Sequence, residues 1–138
     1  MDRKNFLKLA SLGAVCGGIL PLLVGCATYR YVDSQQENGK LKIAKTAFQE
    51  DLFVLVRNPR QKSPIYLRKK EDGSFRALLL ECTHKQCSVN PSENRLSCPC
   101  HGSQFDASGN VLEGPAKKNL FAYRVSTDPE YIYIELPN

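Results

Sequence analysis

The chain has 138 residues and a formal net charge of +5, with 42% hydrophobic residues, six cysteines, two histidines and no tryptophan. That length suits one domain plus an extension. Its basic residues are not interleaved with aromatics in a stripe, which argues against a nucleic-acid partner.

The extension comes first. Arg3 and Lys4 precede an apolar run from Leu9 to Val24, broken by Ser11 and Pro21. Sixteen residues are short for a membrane span, which needs roughly 20, and suit the apolar core of a secretory signal. The run closes at Leu23-Val24-Gly25-Cys26, which resembles a bacterial lipobox, where cleavage falls before an acylated Cys. The start, Asp2 to Lys8, is similar to a twin-arginine export signal with Lys4 in place of the second Arg. The expectation is a signal peptide over 1–25, lipidated Cys26 and a polar tether over 26–39, and a domain over 40–138. The other reading is an uncleaved anchor helix over 6–25. Both place the folded part in the bacterial cell envelope, tethered to the membrane and facing the periplasm or the exterior. Cys16 would leave with the signal. Cleaved at Cys26, the chain keeps 113 residues, with 16 Lys and Arg against 13 Asp and Glu.

From Lys40 the pattern is short β-type runs broken by turns. Lys40–Ala44 alternates weakly, and Leu52–Val56 is continuously apolar, as in a strand buried on both faces. Ile65–Leu67 and Phe75–Leu80 flank Asp72-Gly73, a hairpin signal. Arg95–Ser97, Gln104–Asp106 and Val111–Leu112 are short; Phe121–Val125 and Tyr131–Leu136 alternate. No segment after the extension holds a 3.6-residue period over three turns. The pattern predicts an all-β domain of many short strands. A core of this size is thin, and a metal site or a cross-link would support it.

Both histidines and four of the six cysteines fall in two segments, Cys82-Thr83-His84-Lys85-Gln86-Cys87 and Cys98-Pro99-Cys100-His101-Gly102-Ser103. Each supplies Cys and His at metal-ligand spacing, which points to a metal site. Pro99 and Gly102 are turn formers, and Gly102 allows close backbone approach.

The pattern Cys-Thr-His-x-x-Cys, then Cys-Pro-Cys-His-Gly-Ser-x-Phe-Asp, then Gly109 and Gly114-Pro115-Ala116, closely resembles the Rieske iron–sulfur family, across residues 82–116. The resemblance implies stacked antiparallel sheets carrying a small cluster-binding subdomain. It implies a [2Fe–2S] cluster with Cys82 and Cys98 on one iron and His84 and His101 on the other. It also implies a Cys87–Cys100 disulfide joining the two loops, and a loop at Pro115 covering the cluster. Ser103 matches a serine that donates to a bridging sulfide. Phe105 stands where members of higher potential carry Tyr, whose hydroxyl donates to a ligand thiolate. Asp106 is read as a turn residue that satisfies backbone.

Two ferric ions, two sulfides and two thiolates sum to a formally neutral site, which accepts an electron more readily than an all-thiolate one. Rieske centres accordingly span roughly −150 to +300 mV, against about −400 mV for plant-type ferredoxins. The family implies proton-coupled electron transfer at the histidines, with cytochrome b and quinol on one side and a c-type cytochrome or another redox protein on the other. Lys85 and Gln86 depart from the usual Cys-Thr-His-Leu-Gly-Cys, whose Leu packs against cytochrome b. This departure keeps other readings open: a stand-alone carrier, the small Rieske subunit of a molybdenum oxidase such as arsenite oxidase, or a structural zinc site.

Overall fold

A computed structural model describes residues 28–138. The elements in chain order are β1 (Tyr31–Val32), β2 (Gln35–Glu37), β3 (Lys40–Ala44), a 3-10 turn (Lys45–Phe48), β4 (Phe53–Val56), β5 (Ile65–Lys69), β6 (Phe75–Leu79), β7 (Arg95–Ser97), β8 (Gln104–Asp106), β9 (Val111–Glu113), β10 (Ala122–Tyr123), β11 (Val125–Thr127) and β12 (Tyr131–Glu135). They form a five-stranded sheet in the order β1-β4-β5-β6-β10, a four-stranded sheet β11-β12-β3-β2 and a three-stranded sheet β7-β8-β9. Every pairing is antiparallel except β1 with β4.

The five-stranded sheet lies between two cores. Along β4 to β6, alternate side chains point to opposite faces. Val54, Val56, Ile65, Leu67, Ala77 and Leu79 meet Leu41, Ile43, Ile132 and Ile134 of the four-stranded sheet. Leu55, Tyr66, Leu78 and Leu80 meet Leu96, Phe105 and Leu120 on the other side. A sheet covered on both faces reads as a continuous apolar run, which explains Phe53–Val56. Leu52 falls outside it, 45% exposed.

The hairpin at Asp72-Gly73 forms as expected. The Lys70 amide donates to the Ser74 carbonyl, and Gly73 takes the left-handed φ of +80° that the turn requires. Leu67 faces Ala77 and Ile65 faces Leu79, so β6 runs directly toward Cys82. Phe121–Val125 is corrected to two short strands, β10 and β11, which pair in different sheets. The tether expected over 26–39 is also corrected where it is described: Tyr31–Val32 pairs with β4 and Gln35–Glu37 with β3. The sequence hides this because β2 is wholly polar and exposed, its ladder supplied by backbone alone. Cys26 and the apolar run lie outside the described residues. Among the described residues, no helix is long and apolar enough to cross a membrane.

Candidate metal centre

The two cysteine–histidine segments fold into loops with the same backbone hydrogen bonds. The Cys82 amide donates to the Cys87 carbonyl at 2.8 Å, and the Gln86 amide donates back to the Cys82 carbonyl at 2.8 Å. In the second loop, the Cys98 amide donates to the Ser103 carbonyl at 2.8 Å, and the Gly102 amide to the Cys98 carbonyl at 3.1 Å. Each loop stands on an antiparallel bridge or strand: Glu81 opposite Ser88, and Ser97 opposite Gln104. The repeat places Gln86 and Gly102 at equivalent positions, with φ of +61° and +80°. Only glycine adopts that conformation without steric cost. A Cβ on Gly102 would meet nothing within 4 Å, so its backbone angle is what calls for glycine there.

Three cross-links gather these loops and the 114–119 segment into one tip. Cys87 and Cys100 form a disulfide. Ser103, fully buried, accepts a 2.9 Å hydrogen bond at Oγ from the Ala116 amide. Thr83 donates from Oγ1 to the Lys118 carbonyl at 2.6 Å. The first was expected from the resemblance. The third was not, and Thr83 within Cys-Thr-His was its only sequence signal. Gly114–Pro115 is a cis peptide, with Pro115 exposed and Ala116 buried beside the cluster-side core. Gly109, whose carbonyl accepts from the Leu120 amide, has a φ of +89°; a Cβ there would fall 2.8 Å from Leu78 Cδ2. The backbone angle calls for glycine, and a side chain there would also press on the buried Leu78 methyl.

The four expected ligands divide by environment. Cys82 and Cys98 are buried at 1% and 3% exposure, and both are outside any disulfide. His84 and His101 are exposed, with ring centroids 4.9 Å apart and planes nearly perpendicular at 87°. That separation lets two imidazoles reach one metal ion while their outer edges face solvent. The Sγ atoms of Cys87, Cys98 and Cys100 also lie within 4.8 Å of one another. Two of these are disulfide sulfurs, which carry no thiolate charge, so the trio is not a ligand set. The thiols and imidazoles fit a mixed sulfur–nitrogen centre. Ser103 fits it too: its Oγ accepts from Ala116, and among the described residues its own proton has no acceptor, leaving it for a sulfur.

Phe105 is fully buried on β8 opposite Leu96, beside a bulge between Gln104 and Phe105. It packs in the same core as Cys82 and Cys98. Asp106 does the turn work expected of it, accepting from the Ser108 amide at 2.8 Å, the Asn110 amide at 2.9 Å and the Asn110 side chain at 2.9 Å. Burial pushes its carboxyl up, but these bonds outweigh it and hold Asp106 below the usual carboxylate range. Sequence reasoning missed Tyr66, whose hydroxyl donates to the Ser92 carbonyl at 2.9 Å and anchors the stretch between the cluster loops. Burial raises its pKa, with Arg68 opposing.

The Rieske [2Fe-2S] domain family matches residues 32–124. A cytochrome b6-f complex iron-sulfur subunit of Synechococcus elongatus is 32% identical over 150 residues, covering 97% of this chain and 84% of that protein. The corresponding subunit of Thermosynechococcus vestitus is 32% identical over 136 residues, covering 87% and 76%. Among solved structures, the plasma membrane Rieske protein PetC3 of Synechocystis PCC 6803 superposes with a TM-score of 0.58 at 27% identity, covering 67% of this chain and 94% of that one. Two buried thiols, two exposed imidazoles and a disulfide-braced tip thus coincide with a match across most of the described chain. The chain belongs to the Rieske [2Fe-2S] family, with a [2Fe–2S] cluster as its cofactor and electron transfer as its chemistry.

Proposed function

We propose that this chain is a membrane-tethered electron carrier of the quinol–cytochrome c reductase or b6-f type. In this reading Cys82 and Cys98 hold one iron and His84 and His101 the other. The supporting observation is the division of the donors: buried sulfur on the inside, and imidazoles 4.9 Å apart at the surface. Buried thiolates keep solvent from the cluster. The outer imidazole edges are where a quinol hydroxyl could hydrogen-bond and pass on a proton as the electron leaves. A [2Fe–2S] cluster held by these residues would take up one electron, with proton exchange at the outer imidazole edges of His84 and His101, so the midpoint potential is expected to fall as pH rises in the alkaline range. Ser103, which fixes the covering loop through the Ala116 amide, would have its hydroxyl proton free to donate to a cluster sulfur.

Tethering is proposed through a lipidated Cys26, with 1–25 removed as a signal. Intact mass of the detergent-extracted protein tests this by the presence or absence of a diacylglyceryl cysteine. The similarity to cytochrome b6-f subunits supports a cytochrome-containing partner complex. Lys85, exposed where the apolar docking residue is usual, favours a second reading: a carrier, or a subunit of another oxidoreductase such as a molybdenum oxidase. Co-purification of cytochrome b or of a large molybdenum subunit from solubilised membranes decides between them.

The central experiment is anaerobic reconstitution followed by iron and sulfide assay and EPR of the reduced protein. Two irons, two sulfides and a Rieske-type signal, with cluster binding abolished in His84→Ala and His101→Ala, are the expected results. A colourless, iron-free product, or a zinc-loaded one without signal, would overturn the reading.

A further inference from the structure

The surface around the two imidazoles has a consistent sign. The loops 82–87, 98–103 and 114–119 contain Lys85, Lys117 and Lys118, both histidines, and no Asp or Glu. Over the whole chain, acidic residues are nearly as common as basic ones, 14 against 19, so their absence from these loops is local. The nearest carboxylates in sequence, Glu81 and Glu113, stand at the roots of the loops.

All three lysines are exposed. The described ion pairs, Arg30–Asp51, Lys40–Glu135 and Lys70–Asp72, lie elsewhere and involve none of them. The cross-links hold the backbone that carries these lysines beside the two histidine loops. Lys85 follows His84 directly, Thr83 binds the Lys118 carbonyl, and Ser103 binds the Ala116 amide next to Lys117. An apolar partner face would have to desolvate Lys85 without an opposing charge, which is costly. A lysine-rimmed partner would be repelled, and a carboxylate-rimmed one attracted and oriented.

We propose that the protein exchanging electrons at this tip is an acidic redox protein, whose carboxylates meet Lys85, Lys117 and Lys118 around the edges of His84 and His101. This rests on the electron-transfer reading above and names the chemistry of its partner. The basic rim draws the partner in and sets its orientation, so association is fast at low salt and weakens as salt screens the charges.

The test uses reduced holoprotein and small redox ions of opposite charge. Oxidation by ferricyanide should slow about tenfold between low and high ionic strength, and oxidation by tris(phenanthroline)cobalt(III) should quicken. Replacing Lys85, Lys117 and Lys118 together by Gln should flatten both dependences. Replacing Lys45, Lys69 and Lys70 by Gln, the same change in net charge at the far end of the molecule, should leave them nearly intact. Equal effects from the two triple variants would mean that overall charge alone is sensed, and would overturn the proposal. A readout independent of electron transfer is NMR broadening by hexacyanochromate(III), a redox-inert trianion, which should concentrate on residues 117–119 and disappear in the tip variant. Broadening with no redox-active cluster would sink the electron-transfer reading and leave the rim standing. An active cluster without localised broadening would sink the rim alone. Co-sedimentation with phosphatidylglycerol vesicles that depends on the same three lysines would make an anionic membrane the occupant and refute the protein partner.

Discussion

Replacing Ser103 by Ala separates two jobs of one hydroxyl. The Oγ atom is fully buried and accepts from the Ala116 amide at 2.9 Å, while its own proton has no acceptor among the described residues. Losing the acceptor strands a buried amide, which costs about 1–3 kcal/mol of stability. Losing the donor acts on the redox equilibrium. A hydrogen bond to a neutral acceptor contributes about 1 kcal/mol and one to a charged acceptor about 2–2.5, so a reduced, more negative cluster would gain roughly 1–1.5 kcal/mol more from Ser103 than an oxidised one. For one electron, about 1.4 kcal/mol corresponds to about 59 mV, so Ser103→Ala should lower the midpoint potential by roughly 40–60 mV. Protein-film voltammetry reads this directly, and urea denaturation of the holoprotein reads the stability loss. Ser103→Thr, which keeps the hydroxyl, should recover most of the potential. A potential within ~10 mV of wild type in Ser103→Ala, well under one hydrogen bond's worth, alongside a clear stability loss, would show that Ser103 only braces the covering loop.

Three further predictions follow from particular residues. Phe105→Tyr, at a fully buried site in the cluster-side core, should raise the potential by supplying a donor to sulfur; a drop or no change by voltammetry would remove that account. Gln86→Gly, at a φ of +61°, should raise the urea midpoint, equivalent to about 1 kcal/mol, by relieving a left-handed non-glycine residue; a lower midpoint would mean the Gln86 side chain holds the loop. The Tyr133 hydroxyl donates to Asp128 at 2.7 Å, which pushes its pKa up to about 12 and holds Asp128 below the usual carboxylate range. Because the folded value lies above the ordinary one of about 10, this bond's contribution is whole below pH 10 and fades as pH climbs through about 12. Tyr133→Phe should therefore lose part of the alkaline decline in stability, and an unchanged profile by denaturation at successive pH values would contradict the assignment.

The cluster loops were legible from sequence because their chemistry depends on residue type at fixed spacing. The Cys–His spacing of 82/84 and 98/101 points to a metal site whatever the surrounding register, while the Cys87–Cys100 disulfide was expected only through the family resemblance. Strands β3, β7 and β8 were equally readable, bounded by turns. What stayed hidden depends on distant partners. Gln35–Glu37 has no apolar residue to mark it, and its strand exists only because β3 offers a ladder. The break between β10 and β11 arises because neighbouring residues serve different sheets. The Thr83–Lys118 bond spans 35 positions, a distance over which no local pattern carries information.

The centre of the five-stranded sheet is buried on both faces. Leu55, Tyr66 and Leu78 look one way, and Val54, Ile65 and Leu67 the other, all at 1% exposure or less. Excising the subdomain of cluster loops would bare one greasy wall of the two-sheet base that remains, inviting clumping rather than leaving a tidy remnant. The electron-carrying end and its foundation are therefore bound to stand or fall as one body.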